Sequence, residues 1–106
     1  MEKDNRNQLV VCADGFKMSV QANQHAYCAP RSDNADRYVE VEVGFPSDYE
    51  ELFDDYVEMK DSTKSHQEQV FPYVTVQIVT NVIAKHGGMV EGEVPNGVAP
   101  LKASNR

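Results

Sequence analysis

The chain has 106 residues, 41% hydrophobic and 25% charged, with a net charge of −7 and no tryptophan. That is the composition of one globular domain, long enough for a modest core without disulfides or a metal. It excludes two partner classes: no Lys/Arg cluster is present to neutralise a nucleic-acid backbone, and an acidic chain is a poor ligand for an anionic membrane.

The first six residues are charged and polar and are expected to fray, leaving 7–88 as a single domain. "MEKDNRNQ" lacks the apolar core of a signal peptide, and no apolar run approaches the roughly 20 residues of a membrane-spanning helix. A cytoplasmic location is therefore expected, with Cys12 and Cys28 as thiols. "QLVVCADGFKMSVQAN" reads as a hairpin: Leu9, Val10 and Val11 favour a strand, and Gly15 is free to turn at positive φ. Phe16, Met18 and Val20 then alternate with polar residues. Residues 23–37, "NQHAYCAPRSDNADR", form a long polar loop, the kind of segment that carries function in compact domains.

"YVEVEVGF" is the clearest strand. Its alternation predicts Val39, Val41 and Val43 facing the core, with Tyr38, Glu40 and Glu42 facing water or a partner. Gly44 and Pro46 end it. Ser47 and Glu50 have capping-box spacing, and Tyr49, Leu52, Phe53 and Tyr56 fall at i, i+3, i+4 and i+7 of a helix. The run from Asp48 to Asp61 carries seven carboxylates against one lysine, nearly all of the net charge. It reads as the wet side of that helix.

"VFPY" is a candidate edge strand, since proline is tolerated at an edge. "TVQIVTNVIAKHGG" has a stripe of Val76, Val79, Val82 and Ile83, basic residues in its last turn and glycine after it. This predicts a helix over 75–86, with strand as the alternative because the residues are β-branched. Residues 89–106 are rich in Gly and Pro and read as a tail, with Met89–Val94 a candidate edge strand. The resulting fold class is α+β: an antiparallel sheet of three to four strands, both helices packed on one face.

Three constellations could carry chemistry. The loop "HAYCAPR" offers His25, Tyr27 and Arg31, a ring to stack and a guanidinium for an anion. With His86 of "KHGG" these are the candidate ligand-binding residues for a nucleotide-like molecule. The competing reading packs Tyr27 and Pro30 and pairs Arg31 with Asp33 or Asp36. The acidic residues Glu50, Glu51, Asp54, Asp55 and Glu58 are candidate partner contacts, including mimicry of a phosphate backbone, against the simpler reading of a solvated face. His25 and Cys28 have a zinc-like spacing, but no further pair completes four ligands, so no metal is expected. Cys28 with a histidine as nucleophile and base lacks any framing motif. No cofactor and no catalytic residue is assigned.

The segments "VCADGFKMSVQA", "YCAPR", "VEVGFPS", "FPYVTVQIV" and "IAKHGG", taken in order, resemble a group of small uncharacterised proteins of tailed bacteriophages, from about Leu9 to Gly88. That group has no established activity to transfer. A proline tends to stand where Thr75 stands here, which suits a helix's first turn. The resemblance implies a non-enzymatic phage accessory protein in the host cytoplasm that binds a host protein, in counter-defence or host takeover. The alternatives are a nucleotide-signal binder and a small structural or assembly protein. Exposed sheet edges make a homo-oligomer a further candidate.

Overall fold

The computed structural model describes residues 6–56 and 69–103. They form five strands, one α-helix and one 3-10 helix. In chain order these are β1 (Val10–Cys12), β2 (Lys17–Gln21), β3 (Glu40–Gly44), the 3-10 helix (Glu51–Tyr56), β4 (Val70–Thr75), α1 (Val76–Lys85) and β5 (Met89–Glu91). The strands make one antiparallel sheet in the order β4-β3-β2-β1-β5. The fold is α+β, as its patterning indicates, but with five strands rather than three to four. Both candidate edge strands are formed, VFPY within β4 and part of Met89–Val94 as β5, and each lies at an edge of the sheet.

The β1–β2 hairpin closes at Gly15, whose φ of 95° a side chain would oppose. Asp14 finishes the turn, its Oδ1 accepting from the Phe16 amide at 2.9 Å. Register then stacks apolar pairs on one face: Val10 opposite Met18, Val20 opposite Val43, Val41 opposite Val74 and Val43 opposite Phe71. All are buried. Val79, Val82 and Ile83 of α1 and Phe53 of the 3-10 helix join this single core. Phe53 meets Phe71 with ring centroids 5.3 Å apart, and burying such a ring contributes about 1.5–3 kcal/mol.

α1 is the predicted second helix. Thr75 caps it, its Oγ1 accepting from the Ile78 amide, and Gly87 and Gly88, both at φ of 92°, end it. Of the segment read as a tail with a candidate edge strand, residues 89–103 are part of the fold. β5 pairs with β1, Met89 also bridges Lys102, and Val98 is buried in the core. Gly97 lies so close to Tyr38 that an added Cβ would sit 2.3 Å from its carbonyl oxygen.

Two local expectations are corrected. Tyr38 is buried and Val39 is exposed, the reverse of the predicted alternation. The amides of Val39 and Glu40 both reach the Ala29 carbonyl, a bulge that slips the side-chain alternation by one residue as the chain enters β3. The acidic helix is a six-residue 3-10 helix rather than an α-helix starting at a capping box. Ser47 Oγ instead accepts from the Lys17 amide at 2.8 Å, and the Glu50 carboxylate turns inward. Phe53 is buried, Leu52 and Tyr56 pack partly against the core, and Tyr49 is exposed.

Candidate functional site

Two places on this scaffold gather chemistry-bearing side chains. The first is the outward face of the sheet around Glu42. The Glu42 carboxylate accepts from the Tyr27 amide at 2.9 Å, which ties the 23–37 loop to β3. The Tyr73 amide donates to the Tyr27 carbonyl at 3.1 Å. The rings of Tyr27 and Tyr73 lie 6.1 Å apart at 45°, and the Arg31 guanidinium sits 5.3 Å from the Tyr27 centroid. Arg31 Nε donates to the Ala26 carbonyl at 3.0 Å. Among the described residues Arg31 has no acidic partner. Asp33 instead binds the backbone amide and side chain of Gln24.

Tyr73 and Phe45 stand out in backbone conformation. Both have φ near +54°, a region that costs a bulky residue about 1–2 kcal/mol. Tyr73 lies in β4 where its register with β3 shifts. Both rings are nevertheless well exposed, 42% for Tyr73 and 57% for Phe45. His25 is exposed and lines a cleft of about 320 Å³ together with Ser19, Gln21, Glu42 and Phe45.

The second place is an ion-pair cluster on the other side of the hairpin. Glu50 is 1% exposed, although it belongs to the acid run. It accepts from Leu52 N at 3.0 Å, Lys85 Nζ at 2.9 Å and His86 Nε2 at 2.7 Å. The other imidazole nitrogen, Nδ1, lies 2.6 Å from Asp14 Oδ2. The His86 ring stacks on Phe16, centroids 4.1 Å apart and 12° from parallel. Burial acts to raise the Glu50 carboxyl, but the Leu52 amide, Lys85 and His86 together hold it below the usual carboxylate range. The same contest runs the other way at His86: burial disfavours its charge, while the bonds to Glu50 and Asp14 prevail and raise its pKa.

The candidate ligand set is thus divided. Tyr27 and Arg31 are in contact and His25 lies on the same loop, whereas the side chain of His86 engages Asp14, Glu50 and Phe16. Of the candidate partner contacts, Glu51, Asp54 and Asp55 are exposed, Glu50 is buried, and Glu58 lies outside the described residues. Both cysteines are free and buried. Burial, then the nearby Asp14 charge, pushes the Cys12 thiol up to about 11. Burial likewise raises Cys28, whose Sγ faces the carbonyls of Asn23 and Pro30, so neither thiol is poised as a nucleophile. Among the described residues no group of three or more His, Cys, Asp or Glu could hold a metal ion, and no helix is long and apolar enough to cross a membrane.

The carboxylate–imidazole cluster and Tyr73 were not apparent from the sequence. The only local hint was that Glu50 and His86 sit at element ends, where side chains often serve the chain's own termini. No family model matches the chain, nor does any curated protein or solved structure.

Proposed function

We propose that the protein is a non-enzymatic binding module whose contact face is the outward side of the sheet at Tyr27, Arg31, Phe45 and Tyr73. The observation that carries this reading is the strained, exposed aromatic pair. Glycine or asparagine would occupy a left-handed position at lower cost, so bulky rings held there in view of solvent point to use rather than to folding. Arg31, stacked on Tyr27 and lacking an acidic partner among the described residues, adds a planar cation. Tyrosine and arginine dominate the energetics of protein interfaces. Protonated, buried thiols and a histidine with both nitrogens engaged supply no obvious nucleophile or base.

The resemblance to tailed-phage proteins gives the setting: a partner protein of the bacterial host, bound to counter a defence or redirect an enzyme. Affinity capture from infected cells tests it, with Arg31→Ala/Tyr73→Gly beside Glu51→Lys/Asp54→Lys/Asp55→Lys. A partner lost only by the first variant supports the aromatic face. Loss only by the second moves the contact to the acidic surface.

A nucleotide-like ligand is the second reading, favoured by the cleft beside His25, whose volume of about 320 Å³ lies at the small end of ligand sites. Denaturing the purified protein and analysing the supernatant tests it. Release of a stoichiometric small molecule supports this reading, and a blank supernatant from protein that has captured its protein partner counts against it.

A further inference from the structure

We propose that Asp14, His86 and Glu50 form a proton-operated latch, in which a doubly protonated imidazole ties the β1–β2 turn to the root of the 3-10 helix. Loss of one proton releases the Asp14 side and not the Glu50 side.

The geometry requires the charged ring. Each imidazole nitrogen lies within 2.7 Å of a carboxylate oxygen. A carboxylate only accepts, so both nitrogens must donate, and only imidazolium carries two N–H groups. Stacking on Phe16 fixes the ring plane. Among the described residues, the charged groups at the ring and its carboxylates come from three elements: Asp14 from the hairpin turn, Glu50 and Glu51 from the 3-10 helix and its approach, and Lys85 from α1. Lys85 bonds Glu50 and lies 3.9 Å from Glu51. Cys12, which feels the Asp14 charge, is held as a neutral thiol by burial.

A neutral imidazole keeps one N–H, so one of the two short contacts becomes a lone pair facing an anion. The two ends differ in what they can do next. Glu50 is buried, with Lys85 and the Leu52 amide also on it, and water has no access to take the place of an imidazole donor there. The Asp14 side chain is 52% exposed and water can replace the imidazole there. The proton therefore stays on Nε2, toward Glu50, and the Nδ1 contact opens. Asp14 also closes the hairpin through the Phe16 amide, so the turn is the element that feels the release. It stays anchored by the stacking of Phe16 on His86 and by backbone bonds that include Ala13 to Gly88 and Asp14 to His86, so what opens is the side-chain contact.

Nitrogen-15 NMR of the full chain from pH 5 to 9 tests the latch, with the His86 signals assigned by their loss in His86→Gln. The expected result is an imidazolium at pH 6 that titrates above its ordinary 6.5. Above the midpoint the Nε2–H tautomer should appear, and the Phe16 amide should shift with the same midpoint. Asp14→Asn should lower that midpoint by about half a unit or more and abolish the linked shift at Phe16. A neutral His86 at pH 6, an Nδ1–H tautomer, or a Phe16 amide indifferent to His86 overturns the proposal. The wild-type titration decides the matter even where a variant fails to fold, because protonation state, tautomer and linkage are all read from it.

Discussion

Replacing Glu50 with glutamine swaps one carboxylate oxygen for an amide NH₂ and should cost much of the protein's stability. The side chain is 1% exposed and accepts from Leu52 N, Lys85 Nζ and His86 Nε2 at 2.7–3.0 Å. Glutamine offers one carbonyl oxygen, so its NH₂ must face one of these donors. Lys85 is half exposed and can turn to water, but the Leu52 amide and the mostly buried His86 ring have less room. A buried charged partner removed from its pair typically costs 3–5 kcal/mol, and since His86 can shed its proton the expected loss here is about 3 kcal/mol. With a urea slope of about 1.5 kcal/mol/M for a small domain, the unfolding midpoint should fall by about 2 M. A fall below about 0.5 M would mean that Glu50 behaves as an ordinary surface carboxylate, and the cluster would lose its structural role.

Further perturbations separate the core, the latch and the contact face. Phe53→Ala should cost about 3–5 kcal/mol in thermal or urea unfolding, since the ring is fully buried against Phe71; a change below 1 kcal/mol would place the 3-10 helix outside the cooperative unit. Gly97→Ala should destabilise by more than about 1 kcal/mol, because φ is 112° and the new Cβ meets Tyr38's carbonyl, with melting temperature as the readout. The His86 contribution is fully present below its ordinary 6.5 and is lost as pH rises through the raised value. Those of Asp14 and Glu50 are present above their ordinary 3.8 and 4.5 and are lost as pH falls through the lowered values. The stability difference between wild type and His86→Gln should therefore peak between about pH 5 and 6.5 and shrink on both sides. A difference that keeps growing toward pH 9 would contradict it. Tyr73→Gly should change unfolding free energy by less than about 1 kcal/mol, since relief of the left-handed backbone offsets lost ring packing; a larger loss would make Tyr73 a folding residue.

How far the sequence could be read depends on how local each feature is. Alternation at Phe16, Met18 and Val20 and the stripe at Val79, Val82 and Ile83 are short-range patterns, and each corresponds to a buried face. Tyr38 and Val39 exchange sides because of Ala29, ten residues upstream and outside any periodic window. Ser47 and Glu50 have the spacing of a reciprocal cap, yet each side chain finds a better partner elsewhere, Lys17's amide for one and His86 and Lys85 for the other. Counting carboxylates could not separate buried Glu50 from exposed Glu51. The distinction is made by groups 35 and 36 positions away. Residues 94–98 show no period, and their place follows from a glycine that lets the backbone touch Tyr38. Of the candidate contact face, Tyr27 and Arg31 were visible as residue types in a long loop; Tyr73, across the sheet and in an unusual conformation, was not.

The most direct test of the central claim is the dissociation constant of the proposed protein partner, once captured, for wild type and for Arg31→Ala/Tyr73→Gly, at matched folded fraction. Removing hot-spot side chains worth about 2 kcal/mol or more should weaken binding by about 30-fold or more. An unchanged constant, with binding lost instead on charge reversal at Glu51, Asp54 and Asp55, would contradict the aromatic face as the working surface.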